Sequence, residues 1–477
     1  MLLLSGCAII AAPAQADTLR EALTEAYASN PVLQAARARQ RATDENVVIE
    51  KSAGLPSASA SAQEVEFLLQ NDTTGTVFGP DRQIGAGVDL SVPIYSGGSV
   101  KNSVRAAKTR VKAGQADLRA TESSVFSQVV AAYMDVIRSE AIVGLSANQV
   151  RVLEVNLQAT SDRFEIGDLT RTDVAQSESR LALSRSDLRS AQANLVAARE
   201  NYIALVGSAP NQLQPPPPLP GLPDSISEAQ AIALEYNPDL LAAKEQAKAA
   251  EYDIDVAGAG RLPRISLFAG GDYSNYLDSL TALDGSKLPQ TSTTAQAGVQ
   301  LSIPLFQGGR PAAMERQAQA RAAAALENEI GAERNVIAQV RSSWSSWKAA
   351  HSIVESSQQA VSAAELSLEG VRAENTVGNR TILDILNAEQ ELLQSKVQLV
   401  TARRNAYVAG FSLLAAMGRA EARDLGLGDE EGLLYDPTLN YTRVQAIWFD
   451  WERDPDPQAQ STRTVDIPAP DATIPPQ

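Results

Sequence analysis

Two stretches place a carboxylate where helix chemistry can use it. Thr170-Arg171-Thr172-Asp173 and Thr381-Ile382-Leu383-Asp384 both read T-x-x-D. In that pattern a threonine hydroxyl caps a helix start and the acid three residues on accepts the cap's own N–H. An acid there also meets the positive end of the helix dipole. Nothing in the chain completes a catalytic set: there is no P-loop, no G-x-S-x-G elbow, no H-E-x-x-H and no complete G-x-G-x-x-G. One Cys and one His rule out a disulfide framework and leave a Cys/His metal site without ligands. Trp344 and Trp347 share a helical face and read as packing, and His351 as a polar helix position. Neither a cofactor nor a metal is expected, and the chain does not read as an enzyme.

The capped helices belong to a chain of rods. Ser99 to Phe164 is free of proline, with only Gly114 and Gly144 inside it. Val104, Val111, Leu118, Val125 and Ala132 recur every seven residues, and Val129, Val136, Val143, Val150, Leu157 and Phe164 take over four residues out of phase. A seven-residue repeat makes a left-handed coiled-coil seam, and a four-residue phase change relaxes the supercoil. At about 1.5 Å per residue such a helix reaches roughly 100 Å, more than a compact core needs.

The chain is also written twice. Leu19 to Pro31 (LREALTEAYASNP) returns as Ile226 to Pro238 (ISEAQAIALEYNP), displaced by 207 residues, and Gly87 to Gly98 (GVDLSVPIYSGG) returns as Gly298 to Gly309 (GVQLSIPLFQGG), displaced by 211. The later displacement then holds, carrying Val129, Val136 and Val143 onto Val340, Trp347 and Val354, Gly167 onto Gly378 and Gly207 onto Gly418. The division that follows is a signal peptide at 1–16; a first repeat at 17–209, with strands near 56–69 and 83–95, a long helix near 99–164 and a helix near 172–206; and a Pro-rich linker at 210–225. A second repeat at 226–418 has strands near 264–277 and 294–306, a long helix near 311–375 and a helix near 382–417. A C-terminal segment at 419–452 and a disordered tail at 453–477 complete it.

The second strand of each pair alternates strictly. Ile84, Ala86, Val88, Leu90, Val92 and Ile94 face one way, and Gly85, Gly87, Asp89, Ser91, Pro93 and Tyr95 the other. Around Gln63 the apolar phase of the first strand switches, which predicts a bulge or a late strand start. Segments of this length can cross a bilayer, where about 9 to 11 tilted residues suffice. Apolar against Gly/Ser/Asp is the lipid-out, water-in signature of an outer-membrane barrel, with Tyr95, Phe306, Tyr273 and Tyr276 as interface aromatics. Four strands cannot close a barrel, since bacterial barrels begin at about eight, so several chains must share one. Two short stacked helices would lie antiparallel to one long helix, with the turn at Gly167 at one tip and the strands beyond the other.

Leu2 to Ala12 is a short apolar core, and Ala14-Gln15-Ala16 a small-x-small cleavage site leaving Asp17 first, although a basic n-region is missing. Leu4-Ser5-Gly6-Cys7 has the form of a lipoprotein acylation box, but only three apolar residues precede it and apolar sequence follows Cys7. Cleavage after Ala16 is the stronger reading. A formal charge of -16 argues against nucleic acid as a partner.

Together these landmarks resemble the TolC-like outer-membrane factors of bacterial export systems, over about Asp17 to Trp451. The resemblance rests on the EAL-like NP helix starts, on the strand-to-helix motifs VPIYSGG and IPLFQGG (Pro93, Gly97, Gly98; Pro304, Gly308, Gly309), and on the turn motifs RFEIGDLTRTDV and VGNRTILDILNAEQ around Gly167 and Gly378. It implies a mainly α fold with membrane β-strands: a homotrimer whose 12-stranded barrel in outer-membrane lipid continues into a periplasmic α-helical barrel. It also implies a periplasmic adaptor (membrane fusion) protein and an inner-membrane ABC exporter or proton-driven pump as partners, the pump supplying the energy. The C-terminal segment 419–452 would pack its aromatics across the middle of the helical barrel.

By the same resemblance, Asp384 projects into the pore at a closed entrance and Arg380 helps to hold the helices shut, with Thr172 and Asp173 accepting latch contacts. Asn375 stands where a latch tyrosine is often found and Asn387 where a second pore aspartate occurs, so a trimer would carry one ring of carboxylates. Capping remains the alternative role for Asp173 and Asp384, and one carboxylate can serve both. The preferred function is the exit duct of type I protein secretion, because the C-terminal block resembles that subgroup. Multidrug or small-molecule efflux is the alternative, and a soluble periplasmic coiled-coil adaptor the reading from a different class.

Overall fold

The computed structural model describes residues 17–69, 77–78, 80–282, 286–427 and 434–474; the expected signal peptide lies outside them. Each copy opens with two short helices. Helix α1 (Leu19–Ser29) starts at a Thr18/Glu21 capping box, and Asn30 caps α2 (Pro31–Ser52) by accepting from the Val32 and Leu33 N–H groups. The other end of the Asn30 amide donates to the Leu205 carbonyl at 2.9 Å. In the second copy Ser225 caps α5 (Ile226–Tyr236), and Asn237 caps α6 (Pro238–Gly258) while donating to the Ala416 carbonyl at 2.9 Å. One buried asparagine therefore starts a helix and ties down the end of the hairpin that returns beside it, twice.

The long helix α3 (Ser99–Glu165) and its return α4 (Arg171–Val206) are repeated as α7 (Arg310–Thr376) and α8 (Ile382–Ala416). Both heptad series of α3 face the core: Val111, Leu118, Val125 and Ala132 are buried, and so are Val129, Val136 and Val143. In one half of the rod α2 packs on α3, α3 on α6 and α6 on α7; in the other half α4 packs on α3 and α8 on α7, with α3 beside α8. The largest core lies between the halves, where Tyr27, Phe126, Tyr133, Leu195, Tyr202 and Phe411 meet.

The strands form one antiparallel sheet in the order β1 (Ser57–Glu66), β3 (Arg82–Tyr95), β4 (Arg264–Asn275), β6 (Thr291–Ser302), and β2 (Val77–Phe78) pairs separately with β5 (Thr281–Ala282). The sheet repeats the helix order α2, α3, α6, α7, and leaves β1 and β6 with one neighbour each. Its apolar face is open: Ile84, Val88, Leu90, Ile94, Val299 and Leu301 are all exposed.

Several expectations need correction. There is no bulge at Gln63, which pairs with Gly85 in unbroken register. The irregularity falls instead between Pro93 and Tyr95, beyond the last β1 partner, where a proline without an N–H has only β4 beside it. The fourth strand stops at Ser302 rather than near 306, because β4 begins at Arg264 opposite Ser302 and Pro304 cannot donate. The third strand stops at Asn275, ahead of Leu277 and Asp278 at positive φ. The Pro-rich linker is held against the rod. Leu213, Leu219 and Leu222 rest on the core, and the Tyr133 hydroxyl donates to the Gln214 carbonyl at 2.6 Å.

Nor is the described part of the tail loose. It has no helix or strand after α9 (Pro437–Val444), yet Ile474 packs on the core and the Arg199 guanidinium donates to the Asp471 and Thr473 carbonyls. Proline-rich sequence needs no secondary structure to lie in a groove once side chains and carbonyls hold it. Of the C-terminal aromatics, Tyr435 packs mid-rod, whereas Trp448, Phe449 and Trp451 do not: they are 67%, 78% and 94% exposed.

Candidate functional site at the hairpin tips

Each helix hairpin turns on a glycine in the left-handed region, Gly167 at φ +86° and Gly378 at φ +83°. A residue with a Cβ is strained there. After each turn a threonine caps the returning helix. The Asp173 carboxylate accepts from the Thr170 N–H at 2.9 Å and its hydroxyl at 2.6 Å, and Asp384 accepts from the Thr381 N–H at 2.9 Å and its hydroxyl at 2.8 Å. Both bonds to Asp384 go to the same oxygen, Oδ2. The Thr381 N–H and hydroxyl hold the Asp384 carboxyl below the usual aspartate range, and the Thr170 hydroxyl and N–H do the same for Asp173. Both are ionised at neutral pH, at the positive end of a long helix.

The two turns are pinned by ion pairs of opposite polarity. In the first, the Arg163 guanidinium reaches forward to Asp168; in the second, Glu374, the counterpart of Arg163, holds the Arg380 guanidinium at 2.7 Å. The Asn375 amide donates to the Arg380 carbonyl at 2.7 Å and closes that turn. Within one chain, therefore, Arg380 is brought to Glu374 and not to Thr172 or Asp173, and Thr172 stays exposed. Asn387 is engaged: its side-chain carbonyl accepts from Arg180 at 2.9 Å, joining the first copy's α4 to the second copy's α8.

Deeper in the tip lies a carboxylate that the motif comparison missed. Glu389 is only 3% exposed; it accepts from the Asn156 amide at 2.9 and 3.0 Å and from Arg372 at 3.0 Å. The bonds bridge α3, α7 and α8 above an apolar knot of Leu153, Leu181 and Leu386. The available signal was its register: Glu389 stands three residues after Leu386 on the buried stripe, where a carboxylate must be paired. Among the described residues no group of His, Cys, Asp and Glu could hold a metal ion.

At the other end of the rods the strand-to-helix glycines come in left-handed pairs, Gly97 and Gly98 at φ +67° and +85°, Gly308 and Gly309 at φ +60° and +79°. Gly98 and Gly309 are the N-caps of α3 and α7. A Cβ on Gly97 would stand 2.8 Å from that of Leu262. These corners lead from strand to rod, from Tyr95 to Ser99 in the first copy and from Ser302 to Arg310 in the second. Among the described residues no helix is long and apolar enough to cross a membrane.

A family model described as "Outer membrane efflux protein" matches the chain at residues 22–208 and again at 231–419, once per copy. The outer membrane efflux protein BepC of Brucella suis biovar 1 is 35% identical over 94% of this chain and 95% of its own length. The outer membrane protein TolC of Escherichia coli K12 is 27% identical, over 86% of this chain and 84% of its own. Among solved structures, the outer membrane channel CmeC of Campylobacter jejuni superposes with a TM-score of 0.74 at 18% identity, covering 90% of this chain and 89% of that one.

Proposed function

The chain belongs to the outer membrane efflux protein family, and from that premise we propose that three copies join their sheets edge to edge into one 12-stranded barrel and form the exit duct of a tripartite export system. Membership places it in the outer membrane as a channel and not an enzyme. The observation that carries the trimer is the four-stranded sheet with one neighbour each for β1 and β6, mounted on helices in the same lateral order. An open sheet edge cannot stand in lipid, because its N–H and C=O groups would find no partner there. The helical layer closes with the sheet, since α2 and α7 continue into its two edges.

Asp384 then lines the narrow entrance and Arg380 and Asn387 control it, while a periplasmic adaptor docks there and an inner-membrane ABC exporter or proton-driven pump supplies the energy. Protein cargo through type I secretion remains the first reading, on the C-terminal block. Small-molecule efflux is the second, favoured by the 35% identity to a protein named for efflux. The test is fractionation followed by native electrophoresis. A detergent-requiring, heat-modifiable trimer in outer-membrane fractions is expected. A monomer in the soluble periplasmic fraction would return the chain to the adaptor class.

A further inference from the structure

After Tyr435 the C-terminal segment climbs α2 towards the strands. The Tyr435 ring lies 5.1 Å from the Arg37 guanidinium, Asn440 donates to Asp44 at 2.8 Å, Tyr441 packs on Val47, and the Trp448 ring sits 5.8 Å from the Lys51 ammonium. Lys51 is in the last turn of α2, just before β1 begins at Ser57. The chain then reverses. A turn bond joins Glu452 N–H to the Phe449 carbonyl, the Arg443 guanidinium holds both oxygens of Asp454, and the descending strand runs back to Arg199 on α4. The segment is a strap pinned along both arms, and large apolar side chains cluster in the open at its apex 446–451, as Trp448, Phe449 and Trp451, whereas the arms hold out single ones, Leu439 and Val465.

Three neighbouring exposed aromatics mark a contact surface, since each offers about 150–250 Å² for burial. The position of the apex selects the occupant. Ser57, Tyr95, Arg264 and Ser302 all stand at the helix-side end of the sheet, and the exposed apolar band ends there with Tyr95, Leu305 and Phe306. An apex beside Lys51 continues that band outward. Tyr441 joins the apolar cluster of Val47 on α2 with Ala107 and Val111 on α3, so the ascending arm is seated on this chain's own helices.

We propose that the apex 446–451 is a membrane foot, whose Trp448, Phe449 and Trp451 dip into the headgroup region of the inner leaflet of the outer membrane. Tryptophan suits that depth because its ring is apolar and its N–H can stay hydrated. Asp450 and Glu452 stand among the aromatics, so apolar contact and not attraction to anionic lipid holds the foot. The proposal rests on the outer-membrane placement of the duct.

The chain has four tryptophans, the other two being Trp344 and Trp347 within the helical layer. Full-length W344F/W347F protein, reconstituted in zwitterionic vesicles containing brominated phosphatidylcholine, isolates the foot. Bromines near the headgroup should quench its emission about twofold and those at the chain ends little, as expected of interfacial tryptophan, with no change when anionic lipid is added. W448F/W451F protein should stay unquenched. If W344F/W347F does not assemble, the wild-type trimer should show a partial shallow quench that W448F/W451F abolishes. Channels that conduct normally while Trp448 and Trp451 remain unquenched would overturn the foot and leave the duct standing. Absence of channels and of vesicle-bound trimer would instead overturn the duct.

Discussion

Asp384 caps its helix through one carboxylate oxygen, Oδ2, which is committed to Thr381; lining the pore would be a second task for the same charge. Substitution separates the tasks, because Asn keeps an acceptor for the cap and loses the charge while Ala loses both. If Asp384 lines the constriction, D384N and D384A should both raise the concentration of multivalent cation needed to block the channel in planar bilayers, by about tenfold for the loss of a focused ring of charge. Block of the wild type should persist as the pH is lowered, weakening only below the usual aspartate range, because the Thr381 bonds depress this carboxyl. Unchanged block in D384N would reduce Asp384 to a capping residue.

Among the elements, the corners matter as much as the rods. Gly378 turns a hairpin into open space, with nothing near a Cβ added there, whereas Gly418, at φ +73°, ends α8 with its missing Cβ only 2.5 Å from the Tyr236 carbonyl oxygen and 2.9 Å from the Asn237 Cα. The first position carries only the left-handed strain of about 1–2 kcal/mol. The second adds a backbone clash beside the asparagine that caps α6. G418A should therefore lower the thermal midpoint of the detergent-solubilised protein well beyond G378A, by a further 2 kcal/mol or more on the order of core overpacking. Equal midpoints would show that the α5–α6 corner yields more easily than its packing implies.

Across the whole molecule the C-terminal segment clasps the middle of the rod through a half-buried carboxylate. The Glu122 side chain of α3 accepts the Ala422 N–H at 2.6 Å, beside Glu421, which the Arg119 guanidinium holds at 2.7 Å. Burial pushes Glu122 up to about 7, the Ala422 bond pulls it back, Glu421 adds to the rise, and Arg37 and Arg423 oppose it. The sign follows from the raised value. The unfolded chain loses this proton near its ordinary value while the folded chain keeps it, so stability falls as pH rises from about 4.5 to about 7, and the cost is complete above that. E122Q should match the wild type at pH 5 and exceed it at pH 8, by on the order of 2–3 kcal/mol, with slower tryptic release of the C-terminal segment. Parallel pH profiles for the two proteins would contradict this.

Much of this architecture was legible without coordinates because it is periodic. Seven-residue spacing from Val104 to Phe164 specifies a rod and its buried seam, and the alternation from Ile84 to Tyr95 specifies a two-faced strand. Two copies of N-P, P-x-x-x-G-G and T-x-x-D specify where helices start and corners turn. Each of these is a local preference, set by which face of an element is apolar or which backbone angles a residue tolerates. Pairing across the chain was decided only in three dimensions. Glu374 and not the first copy's tip takes Arg380, and Glu389 is sheltered by Asn156 and Arg372 from two other helices. A proline-rich tail lies down because Arg199 happens to stand beneath it. Such contacts depend on which side chains the packed helices bring together, in the Asn156–Glu389 and Arg199–Asp471 pairs across more than two hundred positions, and no repeat in the chain records them.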